Sequence, residues 1–138
     1  MQNLTLSGLN YPAIIVAAVA DFMLGFLWYS KALFGKAWQK HVGFTDEQIK
    51  AGAKPAPFIV SFLLSVFIAF SLSLILHAVG GSFVTGVLIG ILAGTGIAMA
   101  TSLPEYLYTD RGVKLFLIDY CYRGLGVIVM SIILSAWR

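Results

Sequence analysis

The sequence predicts an all-α integral membrane protein: a bundle of four transmembrane helices, with a short amphipathic helix resting at the membrane interface between spans one and two. Three observations predict it. Of 138 residues, 59% are hydrophobic and only 11% charged, whereas soluble domains are roughly a quarter charged; mean hydropathy is +0.91. Four apolar runs each approach the about 20 residues that a bilayer core requires. Little chain is left outside them, so residues 1–138 read as a single membrane domain. The formal charge of +3 does not point to nucleic acid, because most of the lysines sit in one loop between apolar runs. The single cysteine, Cys121, excludes an intrachain disulfide. Residues 1–10 lack the basic start of a signal peptide, so no cleaved leader is expected. The sequon Asn3-Leu4-Thr5 lies so near the membrane that it reads as coincidence.

Span one is expected over 11–30. Asn10 can cap it, and Pro12 suits a first turn whose N–H groups have no intrahelical partner. Trp28 and Tyr29 would anchor its end at the interface. Asp21 lies midway, on a face of small residues (Ala13, Ala17, Gly25) that should pack on protein rather than lipid. Residues 31–54 form the one long polar segment. Leu33, Phe34, Ala37, Trp38 and Val42 fall on one side, and Lys36, Gln39 and Lys40 on the other, as in a helix lying in the interface plane. Trp38 would be its anchor and Gly43 its stop. Thr45 and Gln48 have capping-box spacing, with Asp46 and Glu47 in the first turn.

Span two is expected over 57–79 and span three over 83–103, joined by a tight turn at Gly80-Gly81-Ser82. Ser61, Ser65, Ala69, Ser73 and His77 recur at every fourth position of span two. Gly86, Gly90, Gly94, Ala98 and Ser102 do the same in span three. Small-xxx-small faces allow close helix approach, so folding the hairpin is expected to bring these two stripes together. Pro104 should end or kink span three before a polar corner at Glu105, Tyr106, Tyr108, Asp110 and Arg111. Span four follows over 114–137, with Trp137 and Arg138 at its far end. Lys31, Lys36, Lys40, Lys50 and Lys54 in loop one, and Arg111 and Lys114 in loop three, put those loops in the cytoplasm by the positive-inside rule and both termini outside.

Ionisable residues at membrane depth mark functional sites by default. Asp119 and Arg123 are four residues apart, hence on one helical face. Antiparallel counting puts Asp21 level with Val127, about 6 Å from Arg123 along the axis, and Asp119 level with Tyr29. Arg123 is therefore expected to bridge Asp21 and Asp119, since a guanidinium fork can serve two carboxylates. Tyr120 and Tyr122 read first as ordinary core aromatics, and alternatively as hydrogen-bond donors to Asp119 or Asp21. Glu105 reads as a solvated acid at the cytoplasmic mouth, and His77 as an interfacial hydrogen-bonding residue. His41 has no companions at metal-ligand spacing, so neither metal nor cofactor is expected. No nucleophile–base pair, phosphate loop or dinucleotide fingerprint appears, so no enzyme is expected.

The stretch from Gly25 to Trp38 (GFLWYSKALFGKAW), the segment Phe44–Lys50, the run Leu117–Tyr122 and the closing ILSAWR resemble the bacterial membrane family called domain of unknown function 1761. The resemblance spans essentially the whole chain. It implies a small multi-span protein, expected in the bacterial cytoplasmic membrane, and brings no activity. Two functions fit the residues. The first is a homo-oligomeric transporter or channel for a small solute or ion, using Asp21, Asp119 and Arg123. The second is a non-transporting scaffold whose charge cluster fixes helix packing. The expected partners are the lipid bilayer and further copies of the chain.

Overall fold

A computed structural model describes residues 6–80 and 82–137. The sequon at Asn3, Gly81 of the turn and Arg138 lie outside the described residues. The described chain is helical throughout: α1 (Tyr11–Trp28), α2 (Gly35–Val42), α3 (Asp46–Gly52), α4 (Pro55–Val79), α5 (Phe83–Ile91), a π-helical stretch (Leu92–Met99), α6 (Leu103–Tyr108) and α7 (Val113–Ala136). Four helical segments are long and apolar enough to cross a membrane: α1, α4, the run Phe83–Tyr108, and α7. Large apolar side chains such as Leu63, Phe67, Leu92 and Ile97 are 60% or more exposed, as suits helices whose surroundings are lipid tails.

Local chemistry sets the helix ends. Asn10 Oδ1 accepts from Ala13 N at 3.0 Å, and Asn10 Nδ2 donates to the Trp137 carbonyl at 3.1 Å, tying the outer ends of α1 and α7. Thr45 and Gln48 form the expected capping box. Gly43 closes α2 in the left-handed region at φ 78°, where glycine carries no Cβ penalty. Span three runs on further than expected. Pro104 sits in the first turn of α6, where its missing N–H leaves nothing unpaired, so Glu105 to Tyr108 are helical rather than a polar corner.

The helices are arranged around α7, which packs against α1, α4 and the α5–π run, whereas α4 and α5 make little direct contact. This corrects the expected hairpin pairing of the two small-residue stripes. The glycine stripe of span three faces α7 instead: a Cβ on Gly86 would strike Ser135, one on Gly90 would lie 2.5 Å from Ser131 Cβ, and one on Gly94 2.6 Å from the Gly124 carbonyl oxygen. The stripe of α4 turns inward, where Ser65, Ala69 and Ser73 are buried, and Ser61 at its lower end is exposed. Each stripe found a third helix because the turn at Gly80 only brings chain ends together, while small faces bind whichever small face approaches closest. The core joins Ala13, Ile14, Ala17 and Ala18 of α1, Ala69, Leu72 and Leu76 of α4, and Met130 and Leu134 of α7. A second cluster of Tyr106, Leu115, Phe116 and Tyr120 lies at the loop end, with Trp38 and Val42 packed on it.

Candidate functional site

Two carboxyl groups lie inside the bundle at different depths, and each is held by hydroxyls rather than by a cation. Asp21 is 7% exposed. The small residues around it, Ala17 and Ala18 on its own helix, let α1 approach its neighbours closely. Ser65 Oγ donates to Asp21 Oδ2 at 2.6 Å, and Ser65 is the only donor to this carboxyl among the described residues. The other oxygen lies against Gly126 of α7 so closely that a Cβ there would collide with it. Serine on α4 and glycine on α7 thus form the two walls of the Asp21 site.

Asp119 is served more fully. Tyr29 Oη donates to its Oδ1 at 2.9 Å and Tyr106 Oη to its Oδ2 at 2.7 Å. The carboxylate therefore ties the end of α1, α6 and α7 together. Trp28 Nε1 adds a parallel tie to the Ile118 carbonyl at 2.9 Å. The expected interface anchors Trp28 and Tyr29 therefore turn inward and link helices. Trp38 packs its ring edge-on against Tyr29 at 5.8 Å, and Trp137 is half-exposed at the far end of α7.

Tyr122 stands between the two acids. Its ring meets Tyr29 at 5.4 Å, its hydroxyl rests on Gly25, and it reaches the Asp21 backbone carbonyl at 3.5 Å. Hydrogen bonds thus link Tyr106, Asp119 and Tyr29, a ring contact joins Tyr29 to Tyr122, and the Tyr122 hydroxyl meets the backbone of Asp21 rather than its carboxyl. Eight residues of α1 separate Asp21 from Tyr29, about 12 Å along the axis.

The antiparallel register holds, because Asp119 meets Tyr29 and Asp21 meets Gly126. The bridging arginine does not. Arg123 makes no ion pair or hydrogen bond among the described residues; it is exposed, with its guanidinium carbon 5.2 Å from the centre of the Tyr120 ring. The reason is directional. A helical side chain leans toward its own N-terminus, which carries Arg123 back over Tyr120 and away from Asp21. Hydroxyls already hold both carboxyls, so no bare anion is left to draw the arginine in. Tyr120 accordingly supports Arg123 rather than an acid.

Glu105 lies at the loop end, where it pairs with Arg111 at 3.5 Å, both about half-exposed. His77 lies beneath the N-terminal segment, its ring close to Gly8. Tyr29 and Tyr106, the donors to Asp119, were not singled out from sequence as partners of an acid. The one signal for Tyr29 was that it lies level with Asp119. An apolar cleft of about 350 Å³ lies between α1 and α4, bordered by Ile14, Ile15, Leu63, Val66 and Phe67; no charged residue lines it.

The family described as Protein of unknown function (DUF1761) matches residues 12–135, and the chain belongs to it. Neither the curated proteins nor the solved structures gave a match.

Proposed function

We propose that this DUF1761 protein is a proton-linked transporter or channel for a small solute or ion, working as a homo-oligomer in the bacterial cytoplasmic membrane with both termini outside. The observation that carries this reading is Asp21: a carboxyl buried near the middle of a membrane span, with one hydroxyl donor and no cation within ion-pair distance among the described residues. Such a group can exist as COOH or COO⁻, and the switch between them is the elementary step of coupling a proton to a conformational change. In this reading the protein is not an enzyme.

Asp119 favours a second reading for itself. With both oxygens hydrogen-bonded by tyrosines from two other elements, it suits a packing tie rather than a titrating group, since a fully satisfied buried network fixes one arrangement. The two acids then have different jobs, Asp21 exchanging protons and Asp119 holding helices.

Infrared difference spectroscopy of the purified protein in nanodiscs tests the assignment. A carboxyl C=O band that rises and falls reversibly with pH, and is lost in Asp21→Asn but kept in Asp119→Asn, is the expected result. A spectrum whose carboxyl changes are the same in Asp21→Asn as in the unaltered protein rejects it.

A further inference from the structure

Helices α4 and α7 meet along one side of each, and both sides pass from closed to open along their length. On α4, Leu76, Leu72 and Ser65 share one face and are 2%, 4% and 6% exposed, but Ser61, one turn nearer the loop end, is exposed. On α7, Leu134 and Met130 are 4% and 1% exposed, while Arg123 on the same helical face is exposed. The two helices therefore part at the level of Arg123, before the face of α7 closes again at Phe116, 6% exposed in the second cluster.

Arg123 lies ten residues into α7, about 15 Å along the axis from the helix start. A guanidinium at that depth facing only lipid tails is costly, and this one has no hydrogen bond or ion pair among the described residues. The Tyr120 ring supports it, and stacking of this kind uses a face of the guanidinium and leaves its N–H edge for a ligand. The neighbouring acids are already occupied, Asp119 by Tyr29 and Tyr106 and Asp21 by Ser65. Lys114, at the start of α7, adds positive charge at that end of the helix, which favours the approach of anions; Arg111 just before it is paired with Glu105.

We propose that the wedge between α4 and α7 is an anion-binding site in which Arg123 takes a phosphate-type oxyanion, a chemistry suited to the guanidinium fork. As a binding site it stands apart from the transport reading; as the site of the transported solute it rests on that reading. The oxyanion has two sources, a small soluble anion entering from the loop end or the headgroup of an acidic lipid entering sideways.

The full chain, purified into phosphatidylcholine nanodiscs in chloride-poor buffer, is titrated with inorganic phosphate while its thermal unfolding is followed. In a second arm, discs containing phosphatidylglycerol are used, and lipid retained by the protein is counted by native mass spectrometry. Saturable binding in at least one arm is expected, with about ten-fold weaker affinity in Arg123→Gln, partial retention in Arg123→Lys, and no change in Gly96→Ala, which meets open space. Binding of phosphate alone identifies a soluble anion, and binding of phosphatidylglycerol alone a lipid headgroup. Absence of saturable binding by the unaltered protein in both arms overturns the proposal, as does equal binding by Arg123→Gln. Efficient disulfide cross-linking between copies through Arg123→Cys, in a Cys121→Ser background in native membranes, also overturns it by placing a second copy in the wedge. If Arg123→Gln does not fold, the unaltered titrations and Arg123→Lys still decide. These readouts need no proton flux, so the anion site and the proton-linked reading can fail separately.

Discussion

A carboxyl group inside a membrane must find donors within the protein, and the two acids of this chain solve that problem differently. Asp119 has a donor for each oxygen. Replacing one tyrosine leaves the other in place, so Tyr29→Phe or Tyr106→Phe is expected to cost about 1 kcal/mol. Removing both exposes a buried acceptor with no donor, and the double variant is expected to lose more than the sum of the singles. Reversible unfolding in mixed micelles measures this; strictly additive losses would separate the two hydrogen bonds. Asp21 has one donor and a glycine wall. Gly126→Ala drives a methyl group into its carboxyl, at an expected cost of about 1–3 kcal/mol. The control is Gly96→Ala, which meets open space and should stay within about 0.5 kcal/mol of the unaltered protein. A similar cost at both sites would show that Gly126 is not shaping the Asp21 site.

At the level of elements, close backbone approach rather than bulky packing holds span three to α7. Gly94 sits in the π-helical stretch with its Cα beside the Gly124 carbonyl. π-helical turns inside α-helices occur frequently at functional sites, and this stretch of eight residues lies opposite the middle of α7. Gly94→Val is expected to push span three away from α7, raising proteolysis at the loop after Tyr108 and costing about 1–3 kcal/mol; unchanged protease resistance would mean the seam tolerates separation. Gly35, in the motif that carries the family resemblance, has a similar explanation. A Cβ there would run into the Tyr29 and Ser30 carbonyls, so only glycine fits the corner between α1 and α2. The interfacial pair α2 and α3 is clasped by Gln39 Nε2 donating to Asp46 at 2.9 Å. That bond, with Lys31 nearby, holds the Asp46 carboxyl below its ordinary value of 3.8. Because the folded value is the lower one, the clasp contributes fully above 3.8 and is lost as pH falls through the depressed value. Amide protection over 39–46, taken relative to the intrinsic exchange rate at each pH, should therefore fall in that acid window, and Gln39→Ala should remove the dependence; identical pH profiles would contradict it.

Across the whole molecule, composition and apolar run length made the class and the four spans legible, because a bilayer demands about 20 apolar residues per crossing whatever the fold. Depth was legible too: antiparallel counting paired Asp119 with Tyr29 before any contact was known. Helix order was not. Short loops suggest which helices are neighbours, but the α4 and α5 stripes each chose another helix, and nothing in a four-residue repeat names its partner. That error hid Tyr106 as a donor to Asp119, since its position depends on span three packing along α7 and continuing past Pro104. Arg123 was legible as an intramembrane charge and misassigned in partner, because the lean of its side chain carries it away from Asp21 and two tyrosines already hold Asp119.

With span three resting mainly on α7 and a wedge left open beside α4, one copy encloses little interior. The purified protein is expected as a cyclic homo-oligomer, and mass photometry in nanodiscs should give a multiple of the 14.9 kDa chain; a single chain per disc would contradict the oligomer. The central claim is that Asp21 exchanges protons during transport. Its most direct measurement is proton flux into proteoliposomes carrying an interior pH dye under an imposed pH gradient. The account predicts flux above that of protein-free liposomes, abolished in Asp21→Asn and largely kept in a folded Asp119→Asn. Flux in Asp21→Asn equal to that of the unaltered protein, or none above empty liposomes in any form, would contradict it.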